Sequence, residues 1–261
     1  MKKKILMLHG NGGAASRFQL IVEDWAKKSS DIEVVIPRLS GFEGRPIDEP
    51  VKWDTFIDDL KKEVQKDMDA IWIFYGHGIG GSILLEWARK DWTLADSLNA
   101  NPQLVILNGP IGASLEHRFF PKLMKPKIMR NIMHWLIYQK WLQPIWEKRL
   151  FLVPENIPIP IRNQFFADYA SCKAFPHFFD LITPSWYKGL VPDLKDKSFY
   201  FLWGKKERVV ASKFLDLWRK DFPYSKFEIV DEWDHFPMLD DPPSFQDKIL
   251  QIIEQEIPAE S

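Results

Sequence analysis

The sequence predicts an α/β fold, with a mostly parallel sheet of about six strands flanked by helices and a helical cap inserted into the chain. Three observations carry this. Short β-rich runs alternate with segments of helical period before residue 111 and again after residue 190. Four of those runs end in polar or glycine-rich turns. Between the two regions, residues 112–190 contain no long β-run, yet they hold 8 of the 19 prolines and 15 of the 37 Phe, Tyr and Trp residues. Repeated βα order implies parallel strands with helices on both faces.

Taken in order, Lys4–Leu8 is a short apolar run that stops at His9-Gly10 and reads as a first strand rather than a signal peptide. Phe18–Lys28 places Leu20, Ile21 and Trp25 at helical spacing, and Glu33–Ile36 is a second strand stopped by Pro37. Trp53–Met68 is helical in period through Phe56, Ile57, Leu60 and Val64. Ala70–Tyr75 is β-rich without alternation, as suits a strand buried on both faces, and Ser82–Lys90 reads as the helix after it. Leu104–Leu107, Ser198–Trp203 and Lys226–Val230 are the remaining strands, with helices at Phe214–Lys220 and Phe245–Gln255. Inside the insertion, Asn131–Phe151 reads as one helix bent near Pro144, followed by shorter helices at Ile161–Tyr169 and Phe175–Phe179. The expected division is a core of 1–111 and 191–261 with a cap of 112–190.

Composition limits the function classes. The chain has 261 residues, 35 basic and 36 acidic, a net charge of -1, and 46% apolar residues. That balance argues for a folded chain and against a dedicated nucleic-acid binder. One cysteine, Cys172, excludes an internal disulfide and a cysteine-rich metal site. His117, His134 and His177 share no metal-ligand spacing, so neither metal nor cofactor is expected. No apolar stretch reaches membrane-span length, and the cytoplasm is the simplest location.

The chemistry-bearing residues fall at strand ends, which share one edge of a parallel sheet. They are His9-Gly10-Asn11-Gly12-Gly13, the turn Gly76-His77-Gly78-Ile79-Gly80-Gly81, Glu207 and His235. Glu207 could hold the tautomer of His235. The backbone N–H groups of Asn11 and Ile79 could form an oxyanion pocket. A solvated charge cluster is the rival reading for Glu207, which lies among Lys205, Lys206 and Arg208. His77 reads as a packing or hydrogen-bonding residue.

These motifs resemble the α/β-hydrolase fold family. His9-Gly10 is similar to its oxyanion loop, and Gly76 through Gly81 to its nucleophile elbow Gly-X-Ser-X-Gly-Gly. Gly204–Glu207 resembles the turn carrying the acid, and Asp234-His235-Phe236-Pro237 the turn carrying the histidine. The resemblance implies Gly78 at the nucleophile position, Glu207 and His235 as catalytic partners, and Asn11 and Ile79 as oxyanion donors. It implies a hydrolase of carboxylic esters, thioesters or C–C bonds. Glycine, however, has no side chain with which to attack a carbonyl. Three readings follow: a serine hydrolase inactivated by substitution, a natural variant working without a covalent intermediate, or a non-catalytic binding protein retaining the cleft. The second includes a lyase or decarboxylase using His235.

Between Arg118 and Arg149 lie eight basic residues and one acid, Glu147, interleaved with Phe119, Phe120, Trp135, Trp141 and Trp146. This basic aromatic stretch suits a lid over a substrate with an apolar portion and an anionic group, a face for an anionic membrane, or a dock for an acyl carrier. The plain alternative is a small aromatic core under solvated lysines.

Overall fold

The computed structural model describes residues 2–29, 31–94, 98–137 and 139–258. Six strands form one sheet: β1 (Lys3–Leu8), β2 (Ile32–Val35), β3 (Ile71–His77), β4 (Leu104–Asn108), β5 (Tyr200–Gly204) and β6 (Lys226–Val230). Their order is β2-β1-β3-β4-β5-β6, and every neighbouring pair is parallel. The unalternating apolar runs have their expected cause. β4 and β5 are buried at every residue, because helices cover both sheet faces.

The helices are α1 (Gln19–Lys28), α2 (Trp53–Val64) and α3 (Ile79–Arg89). Between β4 and β5 come α4 (Phe119–Leu123), α5 (Lys127–Ile137), α6 (Gln143–Leu150), α7 (Ile159–Ser171), α8 (Phe178–Leu181) and α9 (Pro184–Leu194). The chain closes with α10 (Leu215–Asp221), α11 (Pro237–Asp240) and α12 (Pro242–Glu256). α1 packs with α12, and α3 packs with α2 and α9. α3 is buried from Ile79 through Ala88, which explains why Ile83, Leu84, Leu85 and Trp87 leave it no polar stripe.

The chain runs from β1 outward to β2, then returns to β3 on the other side of β1. This reversal opens a crevice at the carboxyl ends of β1 and β3. Their register aligns Leu8 with Gly76, so the loop after residue 8 and the turn after residue 76 face each other there.

The cap departs from expectation in its details. The helix expected over Asn131–Phe151 is two helices, α5 and α6, separated by a turn in which Leu142 N–H donates to the Gln139 carbonyl at 2.9 Å. Tyr138, inside that expected helix, lies outside the described residues. Pro144 does not bend a helix; it occupies the first turn of α6, where its missing N–H costs no hydrogen bond. Phe175–Phe179 is helical only from Phe178, and α3 begins at Ile79 rather than Ser82. α4 and α9 were not expected, being short or proline-started. α9 runs past residue 190, and Trp186 Nε1–H donates to Glu86 Oε2 of α3 at 2.9 Å.

Candidate active site

The loop after β1 is folded on itself. Gly13 N–H donates to the Gly10 carbonyl at 3.0 Å, and Gly12 N–H donates to Asn11 Oδ1 at 3.0 Å. The other end of the Asn11 amide reaches the cap, donating to the Phe175 carbonyl at 3.4 Å. Gly12 has φ +65°, and a Cβ there would lie 2.1 Å from the Tyr169 ring of α7. Only glycine fits that contact.

Beneath the loop lies a residue that sequence reasoning missed. Arg17 is buried; its Nη2 donates to the carbonyls of Gly12 at 3.0 Å and Phe165 at 3.1 Å, and its Nη1 to Asp168 Oδ2 at 3.0 Å. Its guanidinium carbon stands 3.8 Å from the Phe165 ring centroid. One side chain thus ties the loop after β1 to cap helix α7. No sequence pattern could signal it, since Arg17 and Asp168 are 151 positions apart.

The turn after β3 is the sharpest in the site. Gly78 adopts φ +55°, ψ −117°, and its N–H donates to the Asn108 carbonyl at 2.9 Å. A Cβ at this position would meet nothing closer than Gly10 Cα at 3.7 Å, an ordinary contact. The backbone thus turns through a shape that strains any residue carrying a side chain, with room for the side chain that glycine lacks. Ile79 follows as the first residue of α3, where an N–H has no partner within the helix.

His235 and Glu207 meet across the turns after β6 and β5. His235 Nδ1 lies 2.8 Å from Glu207 Oε2, and both residues are buried. Glu207 Oε1 accepts from the N–H groups of Val209 at 2.6 Å and Val210 at 2.8 Å. Burial opposes the charge of Glu207, but the His235 imidazole and these two amides outweigh it and hold the pKa at about 2. An ionised carboxylate fixes the proton of His235 on Nδ1 and leaves Nε2 as the acceptor. Its charged sequence neighbours turn outward instead. Lys205 pairs with Asp231 and Lys206 with Glu232 at the surface. The adjacent Asp234 is occupied by Arg208, whose backbone N–H donates to Oδ1 at 3.0 Å.

His77 is buried with Nε2 2.8 Å from the carbonyl oxygen of His235. Burial, together with the nearby His235 ring, pushes its pKa down to about 3, so it stays neutral and donates to that carbonyl. It buttresses the backbone of the histidine turn. The remaining histidines are dispersed: His9 is buried against the Phe42 ring, His134 Nε2 donates to the Tyr169 carbonyl, His177 faces Glu49, and His117 stacks on Phe214. Among the described residues, no three His, Cys, Asp or Glu side chains gather into a metal-binding group.

A cavity of about 700 Å³ joins these parts. Gly10, Asn11, Gly78, Ile79 and His235 line its floor, and Ile111, Phe178 and Trp146 contribute to its apolar walls. Arg118, Lys122, Lys125 and Arg149 also line it. Glu207 stands behind His235 and does not line it.

Residues 5–245 match the alpha/beta hydrolase family. The chain belongs to that family. Solved structures agree at the level of fold. A carboxylesterase from Nitrososphaera gargenis is 14% identical, with a TM-score of 0.69, over 98% of this chain and 91% of that one. Bromoperoxidase from Bacillus anthracis is 15% identical, with a TM-score of 0.71, over 97% and 92%. MenH from S. aureus is 18% identical, with a TM-score of 0.68, over 97% and 94%. No curated protein matches the chain in sequence. This alpha/beta hydrolase thus has the family's architecture along nearly its whole length, with glycine in the turn between β3 and α3.

Proposed function

We propose that the protein is a hydrolase of carboxylic esters or thioesters that works without a covalent enzyme intermediate. One observation carries this: His235, backed by Glu207, borders the same cavity as Gly78, whose missing side chain leaves open the space a serine would occupy. A water molecule of hydroxyl size fits the role of nucleophile in that space. His235 Nε2 takes a proton from the water as its oxygen bonds to the substrate carbonyl carbon. The Asn11 and Ile79 amides hold the resulting oxyanion. The tetrahedral species then collapses. The bond to the leaving alkoxide or thiolate breaks, and His235 returns the proton to it, giving a carboxylic acid and a free alcohol or thiol. Glu207 stabilises the imidazolium between the two transfers.

In this reading the core comprises 1–111 and 191–261, and the cap, 112–190, closes the cavity over an apolar acyl portion. Arg118 and Arg149 serve an anionic group on the substrate. The protein acts in the cytoplasm.

The competing reading, favoured by the glycine itself, is a binding protein that retains the cleft. A panel of acyl esters and thioesters of increasing chain length separates the two. Turnover by the native chain that His235→Ala abolishes, with substrate binding retained, supports the enzyme. Binding without turnover of any member by either form supports the binder.

A further inference from the structure

We propose that the outer face of the cap docks on an anionic lipid bilayer, from which an amphipathic acyl substrate enters the cavity. Docking stands independently of chemistry at His235; only the entry of substrate rests on the hydrolase reading.

The first observation is where exposed apolar side chains lie. Among the described residues, nine of the fourteen large exposed hydrophobics fall between Phe119 and Ile159. Phe119 is 76% exposed, Trp141 69% and Ile128 67%. Apolar residues on this scale, gathered in one part of a chain, mark a surface with a partner.

The second observation is the two-faced construction of α5. Met133 and Ile137 line the cavity, and Arg130 is buried and paired with Asp180. Ile128, Ile132 and Trp135, spaced by four and three residues, form an exposed stripe. The helix therefore turns one apolar side to the cavity and another to the outside. α6 sits beside its carboxyl end, with Trp146 Nε1–H donating to the Leu136 carbonyl at 3.1 Å, and carries exposed Ile145 on the preceding residue.

The third observation is charge. Lys122, Lys125, Lys127, Lys140 and Lys148 are exposed among these apolar residues. Of the two acids between Phe119 and Ile159, Glu147 is taken up by Arg162 at 2.8 Å, and Glu155 is exposed near the far end of the stretch. A strongly basic, aromatic and aliphatic surface within a chain of net charge -1 complements an anionic interface.

A bilayer fits these features better than a protein. The apolar side chains project from several short helices rather than lining a groove, and lipid accommodates such projections without a matching shape. Exposed tryptophans favour the headgroup boundary. No described helix is long and apolar enough to cross a membrane, so docking is peripheral. The patch is also continuous with the cavity, since Phe120, Lys122 and Lys125 line the cavity and are exposed.

The test is flotation of the full chain with vesicles of phosphatidylcholine alone and of an equal mixture with phosphatidylglycerol. The native chain should float with the anionic vesicles, and at least about tenfold less with the neutral ones. Lys127→Gln with Lys140→Gln should weaken that binding by roughly tenfold or more, as should high salt. Ile132→Glu with Trp135→Glu should abolish it while leaving the far-UV circular dichroism and melting temperature unchanged, since both side chains are exposed. Failure of the native chain to bind anionic vesicles overturns the proposal. So does undiminished binding by the Ile132/Trp135 double variant. Capture of a soluble acidic protein without vesicle binding would reassign the surface and also overturns it. Flotation reads no turnover, so its failure is distinguishable from failure at His235.

Discussion

Gly78→Ser perturbs the site at its most informative position. The backbone there, φ +55° and ψ −117°, is one that side-chain-bearing residues occupy only under strain, at a cost of about 1–3 kcal/mol. Space adds no further cost, because the new Cβ meets only Gly10 Cα at 3.7 Å. At about 2–4 °C per kcal/mol for a chain of this size, the melting temperature should fall by about 2–12 °C. The variant should stay folded, with its hydroxyl beside His235. Scanning calorimetry measures the first effect. Intact-mass spectrometry after treatment with a fluorophosphonate measures the second: the native chain should take no label, while the variant should approach one label per chain. Adding His235→Ala should suppress that labelling. A folded Gly78→Ser chain that takes no label would refute the placement of His235 and the two amides around this position.

Two further perturbations test the supports of the site. Glu207 is held at about 2 in the fold against an ordinary value of 4.5, so its ionised form stabilises the protein above about pH 4.5, and that contribution is lost as pH falls toward 2. Glu207→Gln should flatten the acid limb of a stability–pH curve measured by urea unfolding, and slow turnover by about 10²-fold or more; an unchanged acid limb would contradict the depressed value. Arg17→Met should leave the buried Asp168 carboxylate without its cation, with only Ser16 and Gln164 donating to it, and cost about 3–5 kcal/mol. Asp168→Leu in the same chain should restore part of it, and a loss below about 1 kcal/mol would show that Arg17 does not tie the loop to the cap.

The core was legible because its signals are local. An unalternating apolar run such as Ala70–Tyr75 followed by glycines reads as a buried strand and a turn, and six short β-rich runs alternating with helical segments predict a parallel sheet with its loops on one edge. Glu207 and His235 could be paired on paper because both follow strands, and parallel strands bring their ends together. The cap was less legible because proline has two meanings. Pro144 and Pro184 begin helices, yet in sequence they resemble a bend and a loop. Arg17 was invisible for another reason. A buried ion pair is made by tertiary packing, and nothing near Arg17 or Asp168 distinguishes them from surface charges. For His77 the role, packing or hydrogen bonding, was legible but the partner was not, since its hydrogen bond to the backbone of His235 spans 158 positions.

In the proposed reaction, water deprotonated by His235 attacks from the space beside Gly78. Quenched-flow hydrolysis of an acyl thioester, with the chain weighed intact during turnover, tests it most directly. Thiol release should be linear with no burst, the chain should keep its mass throughout, and the rate should be about 10²–10⁴-fold lower in His235→Ala. A burst of thiol equal to the enzyme concentration, with the acyl mass added to the chain, would contradict it.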